Sequence, residues 1–263
     1  PLRCPRGVEH PQSAQPRQAR CCLTPGNLPR LHNMAPNPMK VALFLEEAGL
    51  EYEAIPIDTK LGDQHTPTFR AINPNGKVPA LTDGDAVIFD SNAILLYLAE
   101  RTGKFLPRPD AGSAARAELL SWLMFVATGV GPYSGQCVHF RLFAPERLAY
   151  PIKRYDFEAR RHWQIVDDRL AGTGHMVGGT YSIVDMAVWG WAPRIPFMLG
   201  DEAAMAEFPH IARLMAEIDA RPAAARARAI ETRHPFKGDF DEAAMRNLYP
   251  QIFAPDPATA RAR

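Results

Sequence analysis

The chain changes its pattern at Pro107 to Asp110, and that break restricts the possible folds more than any single motif does. Ahead of it, strand-like and helical runs alternate. They are a weak strand signal at "LPRLHN", a helix in "KVALFLEEAGL", a strand in "EYEAIPID", a polar stretch "TKLGDQHTPTFRAINPNG", two short strands around the turn Asp83-Gly84-Asp85, and a helix in "SNAILLYLAERTG". That order predicts a βαβ unit, then a hairpin, then a helix. Past the break come long helical patterns without a convincing strand, as in "ARAELLSWLMFVATGVGPYSGQCVHFRLF" and "IKRYDFEARRHWQIVDDRLAG". An α+β half followed by an all-α half is the predicted architecture. Its boundaries are 1–26 for a leader, 27–106 for the first domain, 111–253 for the helical domain and 254–263 for a tail. The linker is short enough that the halves should pack tightly.

Composition serves to exclude. Thirty basic residues against 29 acidic ones leave a formal charge of +1, which gives no electrostatic basis for holding nucleic acid or an anionic membrane. The leader "PLRCPRGVEHPQSAQPRQARCC" is rich in Pro, Gln and Arg without an apolar period, which predicts disorder, and it lacks the apolar run of a secretory signal. Cys4, Cys21 and Cys22 fall in that leader and Cys137 stands alone in the body, a usage that excludes a disulfide framework, a CxxC motif and a zinc ribbon. A reducing cytoplasm and no metal are the expectation. The sequence contains no run of about 18 apolar residues, so no membrane span is predicted.

Three places carry potential chemistry. In Ala35-Pro36-Asn37-Pro38 a proline-bounded turn feeds a helix from Met39, where Asn37 can cap the helix or offer its amide NH₂, and exposed N–H groups can hold an anion. Along that helix Val41, Leu43, Phe44, Leu45 and Ala48 form the apolar set, Glu46 and Glu47 stay outside, and Gly49 stops it. In "NGKVPAL" a proline begins a strand; a cis Val78-Pro79 bond accounts for it and leaves the Val78 backbone able to pair with an extended peptide ligand. In "FDSNAILLYLAE", Asp90 and Ser91 open a helix, so Ser91 can receive a carboxylate with the helix dipole behind it. "TYSIVDMAVWGW" adds a capping box, Ser182 with Asp185, which is a folding signal.

Taken with the all-α second half, "FLEEAGLEYE", "INPNGKVPAL", "DSNAILLYLAERTG" and "YSIVDMAVWGW" resemble the glutathione transferase family from Leu28 to about Ile230. "APNPMKVALFLEEAGL", "GDQHTPTF" and "GPYSGQCVHFRLFAPE" resemble its bacterial Nu-class branch, whose members bind glutathione or its disulfide. The resemblance implies a thioredoxin-like first domain, a helical-bundle second domain, and glutathione as co-substrate. It further implies that Val78 and Pro79 meet the cysteinyl part, Asp90 and Ser91 the γ-glutamyl end, and Gln64 and Lys77 the glycyl end. Asn37 would face the sulfur, Arg154 a second glutathione or an acidic group, and the protein would be a homodimer. The branch often carries Thr or Ser where this chain has Ala35, so Asn37 holds the thiolate role almost alone.

Two functional classes are therefore in view: a transferase that activates glutathione against a disulfide, a peroxide or a hydrophobic electrophile, and a non-catalytic glutathione-binding regulator on the same fold. Tyr133 is the aromatic assigned to a hydrophobic substrate, while Trp122, Phe125, Phe140, Trp189 and Trp191 are assigned to the core. Cys137 reads as a packing residue, and Arg161, Asp167, Asp168 and Arg169 as a solvated helix face.

Overall fold

The computed structural model describes residues 19–23 and 35–254. Its sheet has the order β2-β1-β3-β4, with β1 (Ala19–Leu23) parallel to β2 (Tyr52–Pro56) and antiparallel to β3 (Ala80–Asp83), which forms a hairpin with β4 (Ala86–Phe89). The central strand thus lies inside the expected leader, upstream of the boundary drawn at residue 27. Its register runs Ala19 opposite Tyr52 on one side and Arg20 opposite Thr82 on the other. The short run Cys21-Cys22-Leu23 is apolar enough to be paired on both edges, a local signal outweighed in composition by the Pro- and Gln-rich text before it. The weak strand signal at "LPRLHN" lies outside the described residues.

Helix α1 (Pro36–Ala48) starts earlier than Met39. Pro36 and Pro38 sit inside its first turn, where the N–H groups have no intrahelical partner and a proline therefore costs no hydrogen bond. Ala35 takes the N-cap position without a side-chain bond, so Asn37 is a first-turn residue and not the cap. The polar stretch contains α2 (Pro67–Ile72), capped by Thr66, which accepts from Phe69 N–H at 3.3 Å, and anchored by buried Phe69. Helix α3 (Ser91–Thr102) follows the hairpin.

The helical half begins with α4 (Gly112–Phe125) and α5 (Gly131–Val138), joined and followed by π-helical turns at Val126–Val130 and His139–Phe143. Then come α6 (Ala149–Thr173), α7 (Ile183–Trp191), α8 (Ile195–Leu199), α9 (Pro209–Asp219), α10 (Pro222–Ala229) and α11 (Glu242–Leu248). Buried α7 opens on the predicted capping box, with Asp185 Oδ2 accepting from Ser182 N–H at 2.8 Å.

Helix α1 joins the halves, packing on α3 on one side and on α7 and α10 on the other. Gly190 permits the α1–α7 approach, since a Cβ there would come within 2.5 Å of Lys40 Cγ and 2.6 Å of the Pro36 carbonyl oxygen. Glu46 and Glu47 are not outside. Glu47 binds Arg221 (3.0 Å to Nη2), and Glu46 binds Arg226 Nε and Tyr52 OH, each at 2.7 Å, because the α10 end of the helical half lies against them. The solvated face expected on α6 is also interrupted. Asp167 is buried, and its Oδ1 caps α9 by accepting from His210 N–H at 2.9 Å and Ile211 N–H at 2.8 Å.

Candidate active site

The two prolines determine which donors the start of α1 offers. Pro36 and Pro38 carry no N–H, and Met39 N–H donates back to the Ala35 carbonyl at 3.4 Å. Asn37 therefore supplies the one first-turn main-chain N–H not used within the helix. Its side chain is oriented as well, because Oδ1 accepts from Trp191 Nε1–H at 3.0 Å, leaving the NH₂ group to donate elsewhere. Trp191 in turn packs on α5, where a Cβ built on Gly131 would lie 3.5 Å from its Nε1. Its assignment to the core missed this bond, which joins residues 154 positions apart and leaves no trace in local spacing.

The second group flanks the open end of the β3–β4 hairpin. Val78-Pro79 is cis, and the β3 ladder opens with Ala80 opposite Phe89, so Val78 lies just beyond the last paired position. Asn73 Nδ2 holds the Lys77 carbonyl at 2.6 Å, while the Lys77 side chain is exposed. Asp90 adopts φ 71°, a region unfavourable for a residue with a Cβ, and its Oδ1 compensates by accepting from Asn92 N–H (2.8 Å) and Ala93 N–H (3.2 Å). Ser91 begins α3 and is buried.

Behind Ser91 lies a residue that the sequence reading passed over. Lys40 is 1% exposed, and its Nζ donates to Ser91 Oγ at 3.3 Å and to Asn92 Oδ1 at 3.4 Å. Burial lowers its pKa to about 7, with the Asp90 carboxylate pulling the other way. Its position was legible: Lys40 stands three and four residues before Leu43 and Phe44, on the buried face of α1.

Of the remaining predicted residues, Gln64 borders the turn before Lys77, where a Cβ built on Gly76 would lie 3.3 Å from the Gln64 carbonyl oxygen. Gln64 is buried; its Nε2 donates to the Thr59 and Asn247 carbonyls, each at 3.1 Å, and its Oε1 is a buried acceptor without a partner. Tyr133 stacks on His162, with ring centroids 4.6 Å apart, and leans toward Tyr155 at 6.3 Å. Arg154 pairs with Glu158 one turn along α6, at 2.6 Å. Cys137 is buried with Sγ 3.5 Å from the Met198 carbonyl, and burial pushes its thiol pKa up, the properties of a packing residue. A cavity of about 1000 Å³ beside α6 is lined by Arg141, Lys153, Phe157, Arg160, Arg161 and Phe208 and by none of the predicted binding or catalytic residues.

A four-stranded sheet with a cis-proline turn, backed by a helical bundle, defines a thioredoxin-like domain fused to an all-α domain. Residues 30–100 match the family model for the glutathione S-transferase N-terminal domain. The chain is 38% identical over 199 residues to the disulfide-bond oxidoreductase YfcG of Escherichia coli K12, covering 73% of this chain and 90% of that protein. It superposes with a TM-score of 0.70 and 36% identity on a glutathione transferase family member from Pseudomonas fluorescens pf-5 with two glutathione bound, over 82% of this chain and 95% of that one. A glutathione transferase from Pseudomonas putida with one glutathione disulfide per subunit gives a TM-score of 0.69 at 31% identity, over 83% and 94%. The chain belongs to the glutathione S-transferase family of enzymes. Among the described residues, no group of acidic, His or Cys side chains is arranged to hold a metal, and no helix is long and apolar enough to cross a membrane.

Proposed function

We propose that this chain binds glutathione along the face bounded by Asn37, Val78 and Ser91 and uses the glutathione thiolate to reduce disulfides. The observation that carries the reading is the paired donor set of Asn37, its main-chain N–H, which has no partner within the helix, and its Trp191-held amide, at the positive end of α1. Two such donors and a helix dipole contribute on the order of 1 kcal/mol or more each in a partly buried site, against about 2.7 kcal/mol for lowering a thiol pKa by two units. Val78 pairs with the cysteinyl backbone, Asp90 and Ser91 receive the γ-glutamyl end, and Lys77 stands near the glycyl end. The nucleophile comes from the ligand, since Cys137, the thiol whose surroundings the structure describes, is buried and held protonated.

The chemistry balances without a further reactant. The bound thiolate attacks one sulfur of the disulfide, forming a mixed disulfide and expelling a thiolate. A second glutathione displaces the other thiolate, giving glutathione disulfide, and both leaving groups take protons from solvent. Conjugation to a hydrophobic electrophile, with Tyr133 on the substrate side, uses the same first step. The reading includes a homodimer working in a reducing cytoplasm. Ala35 favours one alternative, a glutathione-binding regulator, because the N-cap position brings no hydroxyl to the sulfur.

The test is glutathione-dependent reduction of hydroxyethyl disulfide beside chlorodinitrobenzene conjugation, for wild type and Asn37→Ala. We expect wild-type turnover above the uncatalysed rate, and a loss of about 10- to 100-fold in kcat/KM for the variant, as for removal of one oxyanion donor. Glutathione binding without turnover in either assay supports the regulator; turnover unchanged in Asn37→Ala removes Asn37 from the mechanism.

A further inference from the structure

Lys40 is an odd residue to bury, and its partners suggest a use for it. An ammonium has three donors and no acceptor, so a protonated Lys40 fills a lone pair of Ser91 Oγ and Asn92 Oδ1 from the inside of the fold. The Ser91 hydroxyl proton must then point away from Lys40. A neutral Lys40 has a lone pair of its own and accepts that proton, turning the Ser91 donor inward. Resting on the functional reading above, we infer that Lys40 is a positioning residue that sets the Ser91 hydroxyl, so that an anionic carboxylate binding at Ser91 is coupled to uptake of a proton by Lys40.

The surroundings leave Lys40 as the responsive group. From α3, Asp90 is its charged neighbour, with Oδ1 committed to two main-chain N–H groups, and farther along that helix are Glu100, paired with Arg116, and Arg101, paired with Asp83. From α7 the approaching residue is Gly190, and Asp185 of that helix is consumed by Ser182 and Met176. At the α10 end Arg221 and Arg226 are paired with Glu47 and Glu46, and Arg20 is the charged residue of β1. Desolvation brings the Lys40 pKa down to about 7, so a carboxylate arriving at Ser91 changes its protonation within the neutral range.

The sign follows from linkage. A bound carboxylate stabilises the charged lysine and raises its pKa, so binding takes up a proton and weakens as pH rises through the ligand-free value. The probe is S-methylglutathione, which has no titrating thiol. Calorimetry at about pH 7, in two buffers of different ionisation enthalpy, should give an uptake of about half a proton. Between about pH 6 and about pH 8 the wild-type Kd should rise about tenfold, while Lys40→Met should show a flat profile, no uptake, and a Kd about tenfold weaker than wild type at about pH 6. Uptake retained in Lys40→Met overturns the inference, as does a wild-type Kd without pH dependence. Should Lys40→Met fail to fold, the wild-type calorimetry decides alone. Failure of S-methylglutathione to bind wild type sinks the functional reading, whereas binding without proton uptake sinks only the role of Lys40.

Discussion

At the scale of single residues, the site depends on side chains held by partners far away in sequence. Asn37 is the clearest case, because an amide that is free to rotate must lose rotamer freedom to hold its NH₂ toward a thiolate. The bond from Trp191 Nε1 fixes the orientation. Trp191→Phe keeps an aromatic ring against Gly131 while deleting the donor, so we expect about a tenfold fall in kcat/KM for disulfide reduction, as for loss of an orienting partner. The Kd of S-methylglutathione, which has no thiolate to stabilise, should stay unchanged. Equal losses in both measurements would mean that the tryptophan acts only through packing. The same distinction governs what could be read from sequence. The cis bond at Val78-Pro79 and the start of α3 at Ser91 are written in adjacent residues, as a proline beside a strand and an acidic-hydroxyl pair before an apolar run. Lys40 and Trp191 take their roles from partners 51 and 154 positions away, which no local rule encodes.

At the scale of elements, the segment after α10 is the main surprise. The sequence suggested an amphipathic stretch from Asp241 to Phe253 without saying where it would dock, and α11 fills part of that span. It docks as a strap across the two halves. Lys237 N–H donates to Asp58 Oδ2 at 2.7 Å, Lys60 Nζ donates to the Gly238 carbonyl at 2.6 Å and lies 3.9 Å from the Phe240 ring centroid, and Asn247 Nδ2 donates to the Lys60 carbonyl at 2.8 Å. At its far end Tyr249 packs on His139 and Phe143, with centroids 5.0 and 5.3 Å away, so the strap is anchored on the second π-helical turn. Gln64 joins the same contact, its amide nitrogen donating to the Asn247 carbonyl, a partner 183 positions away that nothing in the polar loop around it indicates. Tyr249→Ala removes the anchor ring and should cost about 2 kcal/mol locally, less than the roughly 3–5 kcal/mol for a fully buried aromatic because Tyr249 is half-buried. Amides at 58–65 should then exchange roughly 30-fold faster, with those of α7 unaffected. Unchanged protection at 58–65 would show that the strap holds without its ring contacts.

At the scale of the whole molecule, the two halves meet along α1 through contacts of two kinds, and these should fail differently. One kind is electrostatic. Arg221 and Arg226 clamp Glu47 and Glu46, whose side chains are 8% and 15% exposed. Arg221→Ala strands the Glu47 carboxylate beside Tyr181, whose hydroxyl pKa is already pushed up, first by burial and then by that carboxylate. An uncompensated, mostly buried charge costs about 2 kcal/mol or more. The clamp lies at the C-terminal end of α1, away from Asn37 and Lys40, so the loss should appear in the urea midpoint and leave kcat/KM within about twofold of wild type. The other kind is steric. At Gly190 a single methyl group would meet both the Lys40 side chain and the Pro36 carbonyl, neighbours of the two ends of the site, while the next residue is the Trp191 that orients Asn37. Gly190→Ala must push α1 away from α7, with an overpacking cost of about 1–3 kcal/mol similar to that of the broken clamp. The displacement also lengthens the Trp191–Asn37 bond and shifts Lys40 under Ser91, so kcat/KM should fall by more than about tenfold even where the protein remains folded. Two variants of matched stability with activities an order of magnitude apart would establish that the α1–α7 spacing itself sets the geometry of the site. Parallel loss of activity in both would reduce that spacing to one more contribution to stability.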